Sequence, residues 1–88
     1  DAVMRESFVM PGMINAHAHV DPAEGGISAQ EQLEQYAHYG VTTVLSLGEN
    51  NQDALGLREQ SWTPQSDMAR VLAAGRIYTP MTPDGESW

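Results

Sequence analysis

Residues 28–47, SAQEQLEQYAHYGVTTVLSL, predict an amphipathic helix that leads directly into a buried strand. Ser28 and Glu31 have the spacing of a capping box, in which the hydroxyl and the carboxylate each bind a backbone N–H that the first helical turn leaves without a partner. Gly40 stands where a glycine in the left-handed conformation ends a helix. Between these two signals, apolar side chains recur at helical spacing and form one face that must be buried: Ala29, Leu33, Tyr36 and Ala37.

The alternation of helix and strand extends to both sides of this stretch. Residues 41–47 (VTTVLSL) are β-branched and apolar, and residues 12–20 (GMINAHAHV) follow a Met-Pro-Gly turn signal, so both segments predict strands. Residues 53–61 predict a second helix, which Pro64 and the residues before it must end. Residues 70–74 (RVLAA) fit either a third strand or the end of a helix. This pattern favours an α/β fold with parallel strands joined by right-handed crossovers.

The predicted elements are too few to complete such a fold. Parallel sheets need cover on both faces, and two helices with three strands provide too little of it. The segments 21–26 and 79–88 are rich in Pro and Gly and predict loops rather than further elements. The sequence therefore predicts one incomplete unit of a larger α/β fold.

Composition excludes several classes of function. The chain has 88 residues and a formal net charge of −8, with four basic residues, all Arg, so repulsion disfavours nucleic acid and anionic membranes as partners. No apolar run approaches the ~18 residues that span a membrane. Because the chain has no cysteine, it forms neither disulfides nor Cys-ligated metal sites. No signal peptide is visible, which favours the cytoplasm and leaves a secreted or periplasmic location open.

The segment 11–20, PGMINAHAHV, carries the chemistry. Side chains at positions i and i+2 of a strand point to the same side, so His17 and His19 project together from the end of the first strand. Two neutral imidazoles on one side can both reach a single divalent cation. The carboxyl ends of parallel strands are also where (β/α)₈ barrels place their active sites. The spacing therefore predicts a metal site at His17 and His19.

Three motifs in order resemble those of the amidohydrolase superfamily. Residues 11–19 read Pro-Gly-hydrophobic-hydrophobic-Asn-x-His-x-His, which is similar to the first barrel strand of these enzymes, although Asn15 stands where many members have Asp. Residues 39–44 (YGVTTV) resemble the second-strand signature. Residues 70–76 (RVLAAGR) resemble the start of the third strand in the imidazolonepropionase-like and peptidase-like branch. The similarity thus extends over most of the chain.

The resemblance implies a fold and an activity. The fold would be a (β/α)₈ TIM-type barrel, of which residues 11–88 form the first three strand/helix units and residues 1–10 are the remnant of an upstream β-rich segment. The activity would be hydrolysis of amide or cyclic-amide C–N bonds by a metal-activated water. His17 and His19 would hold a divalent metal, most readily zinc, in a centre of one or two ions. The other ligands and the catalytic Asp would come from later strands, so no catalytic residue is assigned within this chain.

Four further residues are candidates at the edge of such a centre. Asp21 and Asn15 are candidates to hydrogen-bond a ligand imidazole, although Asp21 could equally cap a loop. Glu49 and Asn50 follow the second strand, where they would either line the rim of a substrate pocket or form an ordinary solvated loop. Three other residues are interpreted as structural: His38, favoured near a helix C-terminus by the dipole, and Trp62 and Trp88, as packing residues.

Alternative functions remain open beside the hydrolase. The isolated chain could be a catalytically incompetent fragment, because two His ligands leave a zinc site short of the three or four that it needs. The full-length protein to which this chain would belong, called the parent below, could also be a degenerate family member that serves as a metal-binding or structural subunit. For the hydrolase we expect a small-molecule or peptide-like substrate. Open strand edges also favour association into a homo-oligomer.

Overall fold

A computed structural model of the chain describes residues 5–22, 26–48 and 53–76. Three strands in this part of the chain form a single parallel sheet, with β2 between β1 and β3. The prediction of an α/β fold with parallel strands is therefore confirmed. In chain order the elements are β1 (Met13–Ala18), α1 (Ala29–His38), β2 (Val41–Ser46), α2 (Asp53–Ser61) and β3 (Arg70–Ala73).

The third strand resolves an ambiguity, and the first is shorter than predicted. Residues 70–74 were compatible with a strand or a helix end, and Arg70–Ala73 forms a strand paired with β2. β1 ends at Ala18 rather than at residue 20, because the backbone N–H of Val20 donates to the side-chain hydroxyl of Ser46 instead of to a backbone carbonyl of the neighbouring strand. The predicted loop at 79–88 lies outside the described residues. The boundary at residue 10, between the remnant of an upstream β-rich segment and the barrel segment, stays a prediction.

Helix α1 begins and ends at the residues that the sequence indicates. At its N-terminus the backbone N–H of Ser28 donates to Glu31 Oε2 (2.8 Å), and the backbone N–H of Glu31 donates to Ser28 Oγ (3.2 Å). At its C-terminus Gly40 has φ +88°, and its N–H donates to the Ala37 carbonyl (3.0 Å). Such a φ strains any residue with a Cβ, so glycine at this position allows the chain to turn directly into β2.

The capping box makes the stability of α1 depend on pH. The backbone N–H of Ser28, and next its hydroxyl, hold the pKa of the Glu31 carboxyl below its ordinary value of 4.5. A lowered pKa in the folded state adds stability above the unfolded value, and this stability is lost as the pH falls through the folded value. We expect Glu31→Gln to be less stable than the wild type at neutral pH, and we expect this difference to shrink as the pH falls through the lowered pKa of Glu31. Urea denaturation at neutral and at acidic pH measures the difference; a gap that persists in acid would contradict the capping role.

Both helices cover the same face of the sheet. Helix α1 packs on β2, α2 packs on β3, and the two helices contact each other. The core between these helices and the sheet is centred on side chains with no exposed surface: Val20, Leu33, Val44 and Val71. The opposite face of β3 carries Arg70 and Leu72, both exposed. Among the described residues, neither helix, of ten and nine residues, is long and apolar enough to cross a membrane.

The start of β1 lies close against the start of β2. The backbone N–H of Met13 donates to the Gly40 carbonyl (3.0 Å), and a Cβ at Gly12 would overlap the side chain of Thr42. The Pro-Gly lead-in of β1 and the Gly-Val-Thr-Thr start of β2 are therefore two sides of one contact. Glycine at position 12 lets the two segments approach this closely.

Two Gly→Ala substitutions should act in opposite directions. At Gly12 the new methyl group collides with Thr42, so Gly12→Ala should lower the free energy of unfolding by about 1–3 kcal/mol. Within α2, a Cβ at Gly56 meets nothing within 4 Å, so Gly56→Ala should raise it by roughly 0.5–1 kcal/mol because alanine favours the helix. Thermal denaturation of both variants tests this pair. Equal shifts in Tm would contradict the close approach at Gly12.

Candidate metal centre

His17 and His19 come together at the carboxyl end of β1. Their ring centroids are 5.3 Å apart, with the ring planes inclined by 76°, and both residues are exposed. Ala18, which lies between them, is buried against the helices. The spacing of the two His residues predicts this arrangement, since successive side chains of a strand face opposite sides and residues two apart face the same side. Two imidazoles at this separation are close enough to bind one small cation together.

The ring of His19 is oriented by the neighbouring strand. Its Nδ1 lies 2.7 Å from the carbonyl oxygen of Leu47. A carbonyl oxygen only accepts hydrogen bonds, so Nδ1 carries the proton in this contact and the neutral ring keeps its lone pair on Nε2. A backbone carbonyl that binds one ring nitrogen is the usual partner of a metal-ligating His, because it fixes both tautomer and ring direction. The geometry thus leaves the lone pair of His19 Nε2 available, and a metal-ligand role for it stays a prediction.

The backbone on each side of His19 is also held by the end of β2. The N–H of Leu47 donates to the Ala18 carbonyl (2.9 Å), and the N–H of Val20 donates to Ser46 Oγ (3.0 Å). Ser46 has no exposed surface. Sequence reasoning missed Ser46 and Leu47 as part of the site. The available signal was their position at the end of the next parallel strand, directly beside the end of β1.

Asn15 contacts the backbone of the pair. Its Oδ1 accepts a hydrogen bond from the backbone N–H of His17 (3.1 Å). The pairing of β1 with β2 is irregular between Asn15 and Ala18, so the regular pairing is interrupted in the segment that contains His17. Asn15 therefore supports the chain at this irregularity, and a contact of its side chain with an imidazole stays a prediction.

Asp21 lies in the segment that leads away from the pair. It is half-buried, and its backbone carbonyl accepts a hydrogen bond from Gln32 Nε2 (3.0 Å). The same Nε2 donates to the Ile27 carbonyl (3.2 Å). The Gln32 side chain of α1 thus binds both the segment that follows β1 and the segment that precedes α1. The role of the Asp21 carboxylate toward a ligand imidazole stays a prediction.

The remaining candidates lie elsewhere. Glu49, Asn50 and Trp88 are outside the described residues. His38 is exposed in the last turn of α1, and its ring meets that of Tyr39 at 5.0 Å, at the opposite end of the sheet from the pair. Trp62 donates from Nε1 to the Val71 carbonyl (3.4 Å). The guanidinium of its neighbour Arg70 is 5.0 Å from the centre of the Trp62 ring, a packing contact.

The donor set suits a divalent transition metal but is incomplete. Imidazole nitrogen is a ligand for Zn, Fe, Ni and Cu, and zinc sites use three or four protein ligands. Within residues 5–22, 26–48 and 53–76, no group of three or more His, Asp or Glu side chains is placed to hold an ion. In the described part of the chain, no more than two such side chains therefore come together at the His pair. No protein-family model, curated protein or solved structure matches this chain.

Proposed function

We propose that this chain is the opening part of an amidohydrolase-type (β/α)₈ barrel, in which His17 and His19 are two ligands of a catalytic metal centre. The observation that carries the proposal is the orientation of the His19 ring by the Leu47 carbonyl, 2.7 Å from Nδ1. A hydrogen bond from Nδ1 to a backbone carbonyl fixes the tautomer and leaves Nε2 as the ring nitrogen available to a metal. Here the ring is fixed, and the second imidazole lies 5.3 Å from it, centre to centre.

The topology is compatible with a barrel as the larger fold. Successive strands of a (β/α)₈ barrel are neighbours and parallel, with a helix after each strand, and the order β1-β2-β3 follows this rule. In a closed barrel, further strands would pair with the outer edges of β1 and β3 and remove the open edges that invite aggregation. The pair also lies at the carboxyl end of the sheet, which is the catalytic end of such barrels.

The reaction that fits is hydrolysis of an amide or cyclic-amide C–N bond in a small-molecule or peptide-like substrate. A bound metal, most readily zinc, lowers the pKa of a water towards ~7 and polarises the scissile carbonyl. His19 would bind this ion through Nε2 while Leu47 holds the opposite nitrogen, and His17 would supply the second imidazole. The remaining ligands and the catalytic acid–base group would come from later strands, so this chain alone is expected to be inactive.

The test uses the protein that continues through the later strands. Metal content and zinc-dependent hydrolysis are measured for that protein, for the His17→Ala/His19→Ala variant and for His38→Ala as a control, with cyclic imides and short peptides as substrates. We expect metal and activity in the parent and in the control, and loss of both in the double variant. Activity that persists in the double variant would contradict the proposal.

A second outcome would favour the structural alternative. The described residues supply two ligands where zinc needs three or four, so a family member without its later ligands would still hold this pair. Weak metal binding by the parent, without hydrolysis of any substrate, would identify it as a metal-binding or structural subunit.

A further inference from the structure

Ser46 connects the ends of all three strands. It is the last residue of β2 and has no exposed surface. Its hydroxyl accepts a hydrogen bond from the N–H of Val20 (3.0 Å), and its carbonyl accepts one from the N–H of Ala74 (3.0 Å). Val20 is itself fully buried, so the hydroxyl replaces the water that this N–H would otherwise bind.

These bonds constrain the position of His19. Its two neighbours in the chain, Ala18 and Val20, are bound by Leu47 N–H (2.9 Å) and by the Ser46 hydroxyl (3.0 Å). The segment is therefore anchored on both sides of His19 by the last residue of β2 and by the residue that follows it. With its backbone held in this way, the ring can reach the Leu47 carbonyl at 2.7 Å.

We infer that Ser46 is a positioning residue of the metal centre: its buried hydroxyl holds the chain after His19 so that Nδ1 stays on the Leu47 carbonyl and Nε2 is presented to the ion. The part that concerns the ion rests on the function proposed above. The part that concerns the tautomer does not, because the hydrogen bonds form within the chain itself.

Ser61 provides a matched control for a merely structural role. It is also buried, with 2% of its surface exposed, and its Oγ also accepts a hydrogen bond from a valine backbone N–H, that of Val71 (3.1 Å). Ser61 lies at the end of α2 and holds β3, which β2 separates from β1. Its replacement removes the same kind of bond without touching the segment of His19.

The experiment compares Ser46→Ala with Ser61→Ala in the 88-residue chain. Nitrogen-15 NMR of the His rings at alkaline pH reports the tautomer of His19 without metal, and a zinc titration followed by the same signals gives the affinity. Ser46→Ala should shift His19 to a mixture of tautomers and weaken zinc binding about tenfold, at the lower end of what loss of an outer partner of a metal ligand costs. Ser61→Ala should change neither quantity, and Ser46→Thr should restore both.

The possible results distinguish failure of the inference about Ser46 from failure of the metal site. An unchanged His19 tautomer in folded Ser46→Ala, or an equal change in Ser61→Ala, would overturn the inference. If Ser46→Ala does not fold, Ser46→Cys takes its place, since sulfur keeps the volume but is a weak acceptor. If the wild-type chain binds no zinc, the claim that this chain by itself presents a metal site fails, while the tautomer comparison still decides the role of Ser46.

Discussion

Replacing Leu33 with Ala is expected to lower the free energy of unfolding by about 2–5 kcal/mol. Leu33 lies in the middle of α1 and has no exposed surface. It belongs to a cluster of buried side chains that joins both helices to the sheet. The substitution removes apolar contacts and leaves a cavity, because the surrounding structure relaxes only partially around a deleted core side chain. Small domains are stable by only about 5–15 kcal/mol, so the loss would be a large fraction of the total.

Leu72→Ala is the matched control for this substitution. Leu72 lies on the uncovered face of β3 and is 44% exposed, so its replacement should cost well under half as much. Urea denaturation followed by circular dichroism measures both variants. Equal destabilisation by the two substitutions would contradict a core that lies on the helical face alone.

Replacing either His17 or His19 with Ala should weaken zinc binding by roughly 100-fold or more, since even loss of an outer partner costs 10- to 100-fold. Each substitution leaves one imidazole, and a single ligand provides no chelation. His19→Ala also removes the ring that the Leu47 carbonyl orients. Isothermal titration calorimetry of the single variants with zinc measures the effect.

His38→Ala is the control for the loss of an imidazole. His38 is exposed like the pair, but it lies in the last turn of α1, at the end of the sheet where β1 and β2 begin. Its replacement should leave the zinc affinity unchanged. If His38→Ala weakens binding as much as His17→Ala does, zinc binds to surface imidazoles in general and the pair is not a site.

Local signals allowed most of the fold to be predicted from the sequence. The capping box of Ser28 and Glu31 and the left-handed Gly40 act within three or four residues, so the bounds of α1 follow from neighbouring chemistry. The β-branched residues of β2 predict a strand. The alternation of strands and helices along the chain predicts that the strands pair in parallel. The segment 70–74 is short and, after Arg70, apolar. Its pairing with β2 is what distinguishes a strand from the end of a helix.

The finer structure of the candidate site depends on contacts between distant residues. The two-residue spacing of His17 and His19 predicts that their rings lie on one side, but it gives no partner for either ring. Leu47 and Ser46 lie 28 and 26 residues from the groups that they bind, and such pairs follow only from the register of β1 on β2. That register is irregular between Asn15 and Ala18. No local sequence pattern predicts this irregularity.

The most direct test of the account is a zinc titration of the 88-residue chain with nitrogen-15-labelled histidine, observed by NMR. The account predicts that the ring signals of His17 and His19 change together at one zinc concentration, that Nε2 is the responding nitrogen of His19, and that His38 does not respond. A uniform response of all three rings, or none at the pair, would contradict the claim that His17 and His19 form a metal site.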